Sequence, residues 1–220
     1  MVKPGITPQE IDDKVFDTCI KLDCYPSPLN YLGFPRSVTT SVNNVACHAI
    51  PDRRPLEEGD IISIDVSIYH NGYHGDTCGT YPVGKIDPDA QKLLFASEKA
   101  VEEAIKICKD GACVNDIGKT IEKFVSKFGL CINPSLCGHG IGEYFHGPPD
   151  IIHVDVGHEN NPERMASGMI FTIEPCLIEG NQPDLILMDD GWTLISTNNS
   201  RSAQFEHTIL VKENEAEILT

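Results

Sequence analysis

The sequence predicts one mixed α/β (α+β) domain over residues 1–220, and three observations support this prediction. A chain of 220 residues, 40% of them hydrophobic, can bury a substantial core. Patterns typical of helices and of strands occur in both halves, with no linker or low-complexity run between them. A strand-like pattern also recurs, as Gly59-Asp-Ile-Ile-Ser-Ile-Asp65 and Gly168-Met-Ile-Phe-Thr-Ile-Glu174. This repeat indicates two pseudo-symmetric halves that bring Asp65 and Glu174 to related positions.

The first half carries signals for one helix followed mainly by strands. Thr7, Pro8 and Glu10 match a capping box with proline at the first helical position, so we expect a helix from there to about Cys24. Two prolines over 25–28 end it. The sequence then predicts a turn-rich loop over 30–35, a strand over 37–42, a short extended piece over 45–50 and a hairpin over 61–83.

The hairpin is the strongest local signal in the chain. Asn71 and Gly72 favour the positive φ angles of a type I′ turn. A two-residue loop at this point places Asp65 opposite Cys78, so Asp65 and Asp76 share one face at roughly 7–8 Å between backbone positions. Two carboxylates aimed at one point repel unless a proton or a metal ion lies between them. The alternative is an ordinary solvated face of an antiparallel hairpin.

The second half carries signals for two helices and then further strands. Asp87 and Pro88 predict the start of a helix that ends at Lys109. Another helix is expected over 114–128 and should end at Gly129. After a glycine-rich segment at 138–142, strands are expected over 169–178, 192–196 and 204–211.

Composition excludes several classes of protein. The formal charge of −16, from 33 acidic and 17 basic residues, argues against a general nucleic-acid or anionic-membrane binder. Nine cysteines without a Cys-x-x-Cys motif suit free thiols better than a disulfide framework. No apolar run approaches the length of a membrane span, and the N-terminus resembles no signal peptide. We therefore expect a soluble intracellular protein.

Two further segments carry candidate functional residues. His139 lies between glycines that allow the backbone to approach a site closely, and His146 follows seven residues later. An isolated histidine is more often a surface or core residue than a metal ligand. Glu206 lies in an otherwise apolar strand, where a carboxylate is costly unless it is paired or binds a metal.

These motifs together resemble the type I methionine aminopeptidases over nearly the whole chain. The matching segments are Gly138-His-Gly-Ile-Gly142, Thr172-Ile-Glu-Pro175 and Ser202-Ala-Gln-Phe-Glu-His-Thr208, together with Asp65 and Asp76. The resemblance implies the pseudo-two-fold pita-bread fold, an antiparallel curved sheet covered by helices on its outer face. It also implies two divalent metal ions, bound by Asp65, Asp76, His139, Glu174 and Glu206.

The donor set agrees with that implication on chemical grounds. Four carboxylates and one imidazole carry a charge that two divalent ions would neutralise, and oxygen-rich donors with one nitrogen suit Mn, Fe, Co or Zn. The resemblance implies that a metal-bridging hydroxide attacks the peptide carbonyl while Glu174 moves its proton. It further implies that one metal ion binds the free α-amine of the substrate, which would restrict cleavage to an N-terminus.

The resemblance also assigns residues that contact the substrate. It implies that His48 and His146 hydrogen-bond the substrate and stabilise the oxyanion. It implies a hydrophobic pocket for the methionine side chain, formed by Tyr31, Phe34, Phe145 and Trp192. The alternatives are a surface position for His48 and ordinary core packing for the aromatic side chains. The remaining candidate histidines are interpreted as structural: His74, His153, His158 and His207.

The predicted activity is removal of the initiator methionine from nascent proteins or peptides whose second residue is small. Two alternatives remain: a Xaa-Pro aminopeptidase-like enzyme, and a catalytically impaired relative that acts as a binding module. The expected partners are peptides with N-terminal Met, including nascent chains at the ribosome, and no nucleic acid or membrane. We expect a cytoplasmic monomer, or an organellar one if a leader has been removed.

The chain departs from the family pattern in two respects. Leu136, Cys176, Ser63 and Ser67 replace residues that are more usual in the family and could tune metal affinity. Relatives generally carry a helix before the segment Val2-Lys-Pro-Gly5, so we expect this first N-terminal helix to be missing from the fold.

Overall fold

Strands make up most of the regular structure. The computed structural model describes Met1–Thr220 and contains three α-helices and fifteen strands. The helices are α1 Pro8–Lys21, α2 Pro88–Ile105 and α3 Asn115–Val125. The strands are β1 Tyr25–Pro26, β2 Thr39–Val42, β3 Val45–Cys47, β4 Ile61–His70, β5 Tyr73–Pro82, β6 Leu130–Ile132, β7 Cys137–Gly140, β8 Gly147–Ile152, β9 Ile170–Ile173, β10 Cys176–Glu179, β11 Leu185–Leu187, β12 Leu194–Ser196, β13 Ser202–Gln204, β14 His207–Val211 and β15 Ala216–Ile218.

The start of α1 confirms the predicted capping box. The Thr7 hydroxyl accepts a hydrogen bond from the Glu10 backbone amide at 3.2 Å, and the Glu10 carboxylate accepts one from the Thr7 amide at 2.8 Å. The predicted end near Cys24 is wrong by three residues, because α1 ends at Lys21. Asp23 has a φ of 57°, a left-handed conformation that stops the helix.

The hairpin formed by β4 and β5 has the predicted turn and register. Asn71 and Gly72 have φ angles of 50° and 95°, as a type I′ turn requires. Asp65 pairs with Cys78, and Asp76 is two residues closer to the turn. The two carboxylates therefore lie on the same face of the hairpin.

The two copies of the sequence repeat, β4 and β9, belong to different antiparallel sheets. β4 pairs with β1, β2 and β5, whereas β9 lies in a sheet with the order β15-β14-β9-β7-β8. Two smaller sheets have the orders β13-β10-β6 and β11-β12-β3. Side chains tie β5 to the C-terminal strands: the Thr208 hydroxyl donates to the Asp76 carbonyl at 2.7 Å, and the Thr80 hydroxyl donates to the Gln204 carbonyl at 2.8 Å.

The strand predicted over 169–178 is interrupted, which corrects the sequence prediction. It consists of β9 and β10, separated by Glu174 and Pro175. Pro175 has no backbone N–H and cannot continue a hydrogen-bonded ladder. β9 pairs with β14, whereas β10 pairs with β13, so the break lets one segment join two sheets.

The strand predicted over 204–211 is interrupted in the same way. It consists of β13 and β14, separated by Phe205 and Glu206. The breaks before β10 and before β14 therefore face each other across the sheet boundary, and each contains a glutamate.

Other predicted boundaries differ by a few residues: β2 begins at Thr39, β3 ends at Cys47, β12 begins at Leu194, α2 ends at Ile105 and the helix over 114–128 ends in a 3-10 turn over Ser126–Phe128.

Helices α2 and α3 cover the sheets and enclose the main core. α2 buries Leu93, Ala96 and Val101, and the Ser97 hydroxyl donates to the Ala203 carbonyl of β13 at 3.2 Å. α3 buries its own apolar stripe against the same core of 24 residues, which includes Phe171 of β9. None of the helices combines the length and the apolar character needed to cross a membrane.

Gly118 on α3 packs closely against the backbone at the end of β8, and we expect Gly118→Ala to destabilise the protein. A Cβ atom there would lie 2.3 Å from the Val154 carbonyl oxygen and 2.8 Å from that of Ile152. Both neighbours are backbone atoms, so the helix must shift, at a cost of about 1–3 kcal/mol. Urea unfolding measures the change. Lys119→Ala, on the exposed face of α3, is the control, and equal stabilities for both variants would contradict the prediction.

Candidate metal centre

The five side chains predicted to bind metal converge from four separate parts of the chain. Asp65 and Asp76 extend from β4 and β5, and His139 extends from β7. Glu174 and Glu206 lie at the two strand breaks. Three overlapping groups have donor atoms within 4.8 Å of one another: Asp65 with Asp76 and Glu206, His139 with Glu174 and Glu206, and Asp76 with His139 and His146.

The cluster is buried, which excludes the solvated-face interpretation of the hairpin. Asp76 is 4% exposed and Glu206 is 2% exposed. His139 Nε2 lies 3.7 Å from Asp76 Oδ2 and 3.5 Å from Glu174 Oε1. The imidazole is therefore enclosed by carboxylates on more than one side.

Burial raises the pKa of all four acids in the cluster. Burial is the largest cause, and it raises the pKa of Asp65 and of Glu206 well above the usual range, with neighbouring carboxylates adding to both shifts. Burial and the Asp76 charge raise the pKa of Glu174 to about 8. Burial also lowers the pKa of His139, which favours the neutral imidazole that a metal requires.

Two carboxylate oxygens of the cluster have no hydrogen-bond partner. These are Asp65 Oδ1 and Glu206 Oε1, and both are buried. Buried polar atoms are normally satisfied, so an unpartnered carboxylate oxygen beside other acids indicates that a cation completes it. The residues present thus fit divalent metal ions. Their donor atoms and their negative charge are suitable, and two of their oxygens are free to bind a cation.

Hydrogen bonds from neighbouring strands fix the orientation of the acids. Ser67 Oγ donates to Asp76 Oδ1 at 2.6 Å. Thr172 Oγ1 donates to Glu174 Oε1 at 2.7 Å and accepts from the His139 amide at 2.9 Å. Gln204 Nε2 donates to Glu174 Oε2 at 3.2 Å. Contacts of this kind hold metal ligands in position.

Ser67 was predicted to affect metal affinity, whereas the supporting roles of Thr172 and Gln204 were not predicted, although part of the signal was present. Thr172 and Gln204 each precede a glutamate by two residues, the spacing that puts side chains on one face of a strand. His153, interpreted as structural, is 1% exposed, and its Nε2 accepts a hydrogen bond from the Glu174 amide at 3.1 Å. Nothing in the local sequence pointed to that contact.

The cluster opens into a cavity of about 430 Å³ that is lined by all six predicted substrate-contacting residues. Its volume is within the range of small-molecule sites. Besides four of the predicted ligands, its walls include His48, His146, Tyr31, Phe34, Phe145 and Trp192. The fifth predicted ligand, Glu206, is buried and does not line the cavity. Cys47 and Cys137 also line the cavity and were not predicted.

Aromatic pairs form the cavity walls. The rings of Tyr31 and Phe145 are 5.0 Å apart, and those of Phe34 and Trp192 are 5.2 Å apart, both edge to face. This geometry is favourable for aromatic rings. His158 and His207 lie elsewhere: His158 pairs with Asp116 at 3.0 Å on the surface.

The two other histidines of the cavity reach it in different ways. His48 follows β3 with a φ of 58°, and burial lowers its pKa. His146 Nδ1 lies 2.9 Å from the Tyr31 hydroxyl. Burial and the adjacent His139 lower the pKa of His146 to about 4, so its ring is neutral near pH 7. Both imidazoles can therefore exchange hydrogen bonds with a ligand as neutral groups.

The fold and the buried acidic site together are those of a class of metallopeptidases. The chain belongs to metallopeptidase family M24, whose family model matches residues 1–213. The similarity covers the complete cluster of acids and histidines described above.

Curated relatives are similar over the whole chain. It is 50% identical over 222 residues to "Methionine aminopeptidase 1D, mitochondrial" of Dictyostelium discoideum and 49% identical over 220 residues to the Homo sapiens protein of that name. All of this chain is covered in both cases, but only 54% and 64% of those relatives. The chain thus spans between about half and two thirds of their length.

Solved structures confirm the predicted pita-bread fold. A methionine aminopeptidase from Rickettsia prowazekii has a TM-score of 0.94 and 38% identity, covering 99% of this chain and 87% of that one. The enzyme of the same name from Thermotoga maritima has a TM-score of 0.95 and 34% identity, covering 100% and 87%. An X-Pro aminopeptidase from Thermotoga maritima shares the fold, with a TM-score of 0.75 and 21% identity. The match covers 100% of this chain and 54% of the X-Pro aminopeptidase.

Proposed function

We propose that this protein is a metal-dependent aminopeptidase that removes N-terminal methionine from peptides and nascent proteins whose second residue is small. One observation carries the proposal: a buried set of four carboxylates and one imidazole opens directly into an aromatic-walled cavity that also contains two neutral histidines. Relatives named methionine aminopeptidase, which are 49–50% identical in sequence over the whole chain, support the same activity.

We further propose that the site holds two divalent ions, bound by Asp65, Asp76, His139, Glu174 and Glu206. The charge of these side chains and the two unpartnered oxygens support more than one ion, and the oxygen-rich donor set suits Mn, Fe, Co or Zn. When bound, the ions would supply Lewis acidity that polarises the scissile carbonyl and lowers the pKa of water. Dialysis against EDTA should abolish activity. The number of metal ions bound per protein molecule after reconstitution tests whether the site holds two.

Glu174 is the residue that moves the proton in this proposal. Its carboxylate faces the cavity and is oriented by Thr172 and Gln204. Oε2 receives the longer of these two hydrogen bonds, so it is the atom assigned to take a proton from the attacking water. The same oxygen then delivers that proton to the leaving amine. A fixed orientation of this kind favours proton transfer at the reacting centre.

His146 stabilises the developing oxyanion in this proposal. We assign the Tyr31 hydroxyl as the donor to Nδ1, 2.9 Å away, which leaves the proton of the neutral ring on Nε2. That N–H can donate to the carbonyl oxygen of the substrate, and His48 is available to bind the amide. Tyr31 thus sets the tautomer of His146 as well as forming part of the wall.

We expect Tyr31→Phe to lower kcat about 10-fold with little change in KM, because the ring stays in contact with Phe145 while the tautomer of His146 is no longer set. Steady-state hydrolysis of Met-Ala-Ser measures both constants. Tyr73→Phe, at the exposed end of the hairpin, is the matched control and should retain wild-type rates. An unchanged kcat for Tyr31→Phe would reject the assignment of the tautomer.

The aromatic walls account for the proposed preference for methionine. Phe34 and Trp192 form one wall, Tyr31 and Phe145 another, and Cys47 adds a small apolar surface. An unbranched, polarisable thioether makes favourable contacts with such rings. Release of Met from Met-Ala-Ser, compared with Leu-Ala-Ser and Met-Leu-Ser, tests both the first-residue and the second-residue preference.

The decisive experiment is metal-dependent release of Met from Met-Ala-Ser after EDTA dialysis and reconstitution with Mn or Co. A folded protein that releases no Met under these conditions would reject the proposed activity. Binding of metal and peptide without hydrolysis would support the impaired binding module instead. Hydrolysis of an Ala-Pro-Ala peptide in preference to Met-Ala-Ser would support the Xaa-Pro alternative.

The organisation and location of the protein are also proposals. We propose that residues 1–220 form one catalytic domain, which the family match over 1–213 and the shared 24-residue core support. We propose a monomer that acts on nascent chains, to be tested by light scattering and ribosome sedimentation. An organellar location, the alternative to the cytoplasm in the sequence analysis, is favoured because the cited relatives are named mitochondrial.

A further inference from the structure

His74 belongs to the hairpin that carries Asp65 and Asp76, and it faces the loop that carries His146. It is on β5, two residues before Asp76, and its side chain therefore shares the cavity-facing side of the hairpin. The loop over 141–146 connects β7 to β8 and carries both Phe145 and His146. His74 was predicted to be structural, and the proposed chemistry does not use it.

His74 contacts this loop at two points. Its backbone amide donates to the Gly142 carbonyl at 2.8 Å. Its ring stacks on the ring of Phe145, with 5.3 Å between centroids and 14° between planes. Phe145 in turn stacks on His146 at 4.0 Å and 29°. The His74 ring is therefore the first member of a stack that ends at the proposed oxyanion-binding imidazole.

A hydrogen bond on the other side holds the His74 ring in place. His74 Nδ1 and Ser27 Oγ are 2.8 Å apart. The Ser27 amide donates to the Ser67 carbonyl at 3.0 Å, and Ser67 Oγ is the group that bonds Asp76 Oδ1. Ser27 thus links the orientation of the His74 ring to the same strand segment that orients the metal-site acid.

The loop has little regular structure of its own to fix its side chains. Tyr144 at its tip is 75% exposed, whereas Phe145 next to it is 9% exposed. Inside the loop, the Gly142 amide donates to the Tyr144 carbonyl at 3.1 Å. The His146 imidazole is held by the ring contact with Phe145, by the bond to Tyr31 and by the His139 ring, whose centroid is 4.2 Å away. His74 supplies the contact from the hairpin to Phe145.

We propose that His74 is a positioning residue, which braces the loop over 141–146 through Phe145 and so holds His146 at a fixed distance from the acids of the hairpin. The proposal rests on the function proposed above for His146. A displacement of about 1 Å at a catalytic group can lower turnover about 100-fold, so an indirect brace can matter as much as a direct contact.

Two substitutions separate the two contacts of the ring. His74→Asn keeps a polar atom near the place of Nδ1 for Ser27 and removes the ring face. His74→Phe keeps the ring face and removes the hydrogen bond. His70→Asn, on the same strand pair at the exposed end of the hairpin, is the matched control. Metal titration by calorimetry on each variant detects any effect through Asp76.

We expect His74→Asn to lower kcat for Met-Ala-Ser by about 10- to 100-fold at saturating metal, with KM and metal affinity each changed less than about 3-fold. His74→Phe should recover most of the lost turnover, and His70→Asn should match the wild type. A purely structural role would lower the melting temperature without changing the kcat of the folded enzyme. An unchanged kcat for His74→Asn, or a loss that follows metal affinity, would overturn the proposal.

Hydrogen exchange provides a readout that does not depend on catalysis. Amides of residues 141–147 should exchange about 10-fold faster in His74→Asn than in the wild type, while those of β4 and β5 are unchanged. If amide exchange in the loop is unchanged in His74→Asn, the proposed positioning role of His74 is rejected, even if activity falls. Conversely, a wild-type protein that releases no Met would reject the proposed function, whereas faster loop exchange in His74→Asn would still support the brace itself.

Discussion

Asp76→Asn should lower kcat/KM for Met-Ala-Ser by at least about 1000-fold while the fold is retained. Asp76 belongs to two of the three groups of converging donor atoms, as do His139 and Glu206. Asparagine has almost the same shape and can still accept the hydrogen bond from Ser67 Oγ, but it carries no charge. Losing a charged ligand weakens metal binding and misplaces the groups around it, and each tenfold loss in rate corresponds to 1.36 kcal/mol.

Activity at saturating Mn or Co and circular dichroism are the two measurements for this variant. Asp189→Asn, an exposed residue outside the cavity, is the matched control and should behave as wild type. Wild-type turnover by Asp76→Asn would contradict the assignment of this side chain to the metal site. Loss of the circular dichroism signal would instead make Asp76 a residue needed for folding, in conflict with the expected result.

The metal-free protein should lose stability as the pH rises from 6.5 to 8.5. Burial and the Asp76 charge raise the pKa of Glu174 to about 8 from an ordinary value of 4.5. In this interval the carboxyl is ionised in the unfolded chain and becomes ionised in the folded protein only as the pH passes about 8. Stability due to the bound proton is therefore lost with rising pH, by about 2 kcal/mol for this group. Bound metal ions should abolish the effect, because they replace the proton.

Urea unfolding in EDTA at the two pH values measures this loss, and Glu174→Gln is the matched control because it cannot ionise. The interval is chosen above pH 6.5 because burial lowers the pKa of His153 to about 3, which costs stability only at lower pH, where the unfolded chain binds a proton. Equal pH dependence in the wild type and in Glu174→Gln would contradict the explanation.

The parts of the fold that the sequence predicts well are those fixed by local chemistry. The Asn71-Gly72 turn sets the register of the hairpin, because the two-residue side-chain period then places Asp65 and Asp76 on one face. The capping box at Thr7 likewise fixes the start of α1, because it is a hydrogen-bond pattern between residues three positions apart. Motif resemblance located the other three cluster residues, and the structure places all five together.

The features that the sequence did not predict depend on contacts between distant segments. The strand breaks at Glu174 and Glu206 arise because each segment changes its pairing partner, which a pattern along one strand cannot reveal. The contacts of His153 and His74 join residues that are far apart in the chain, so neither histidine carried a local signal. Helix ends also differed by a few residues, since the last turn tightens according to its surroundings.

The tie between β5 and the C-terminal strands has a kinetic consequence. Asp76 and Thr208 bond each other although they are 132 positions apart in the chain. The hairpin can form from local contacts, but the complete cluster exists only after this long loop has closed, a step that is slow because its entropy must be lost first. We therefore expect metal ions to bind a feature that forms late in folding. We expect them to lengthen the lifetime of the native state without speeding its formation, which would make the persistence of this protein in a cell depend on metal supply.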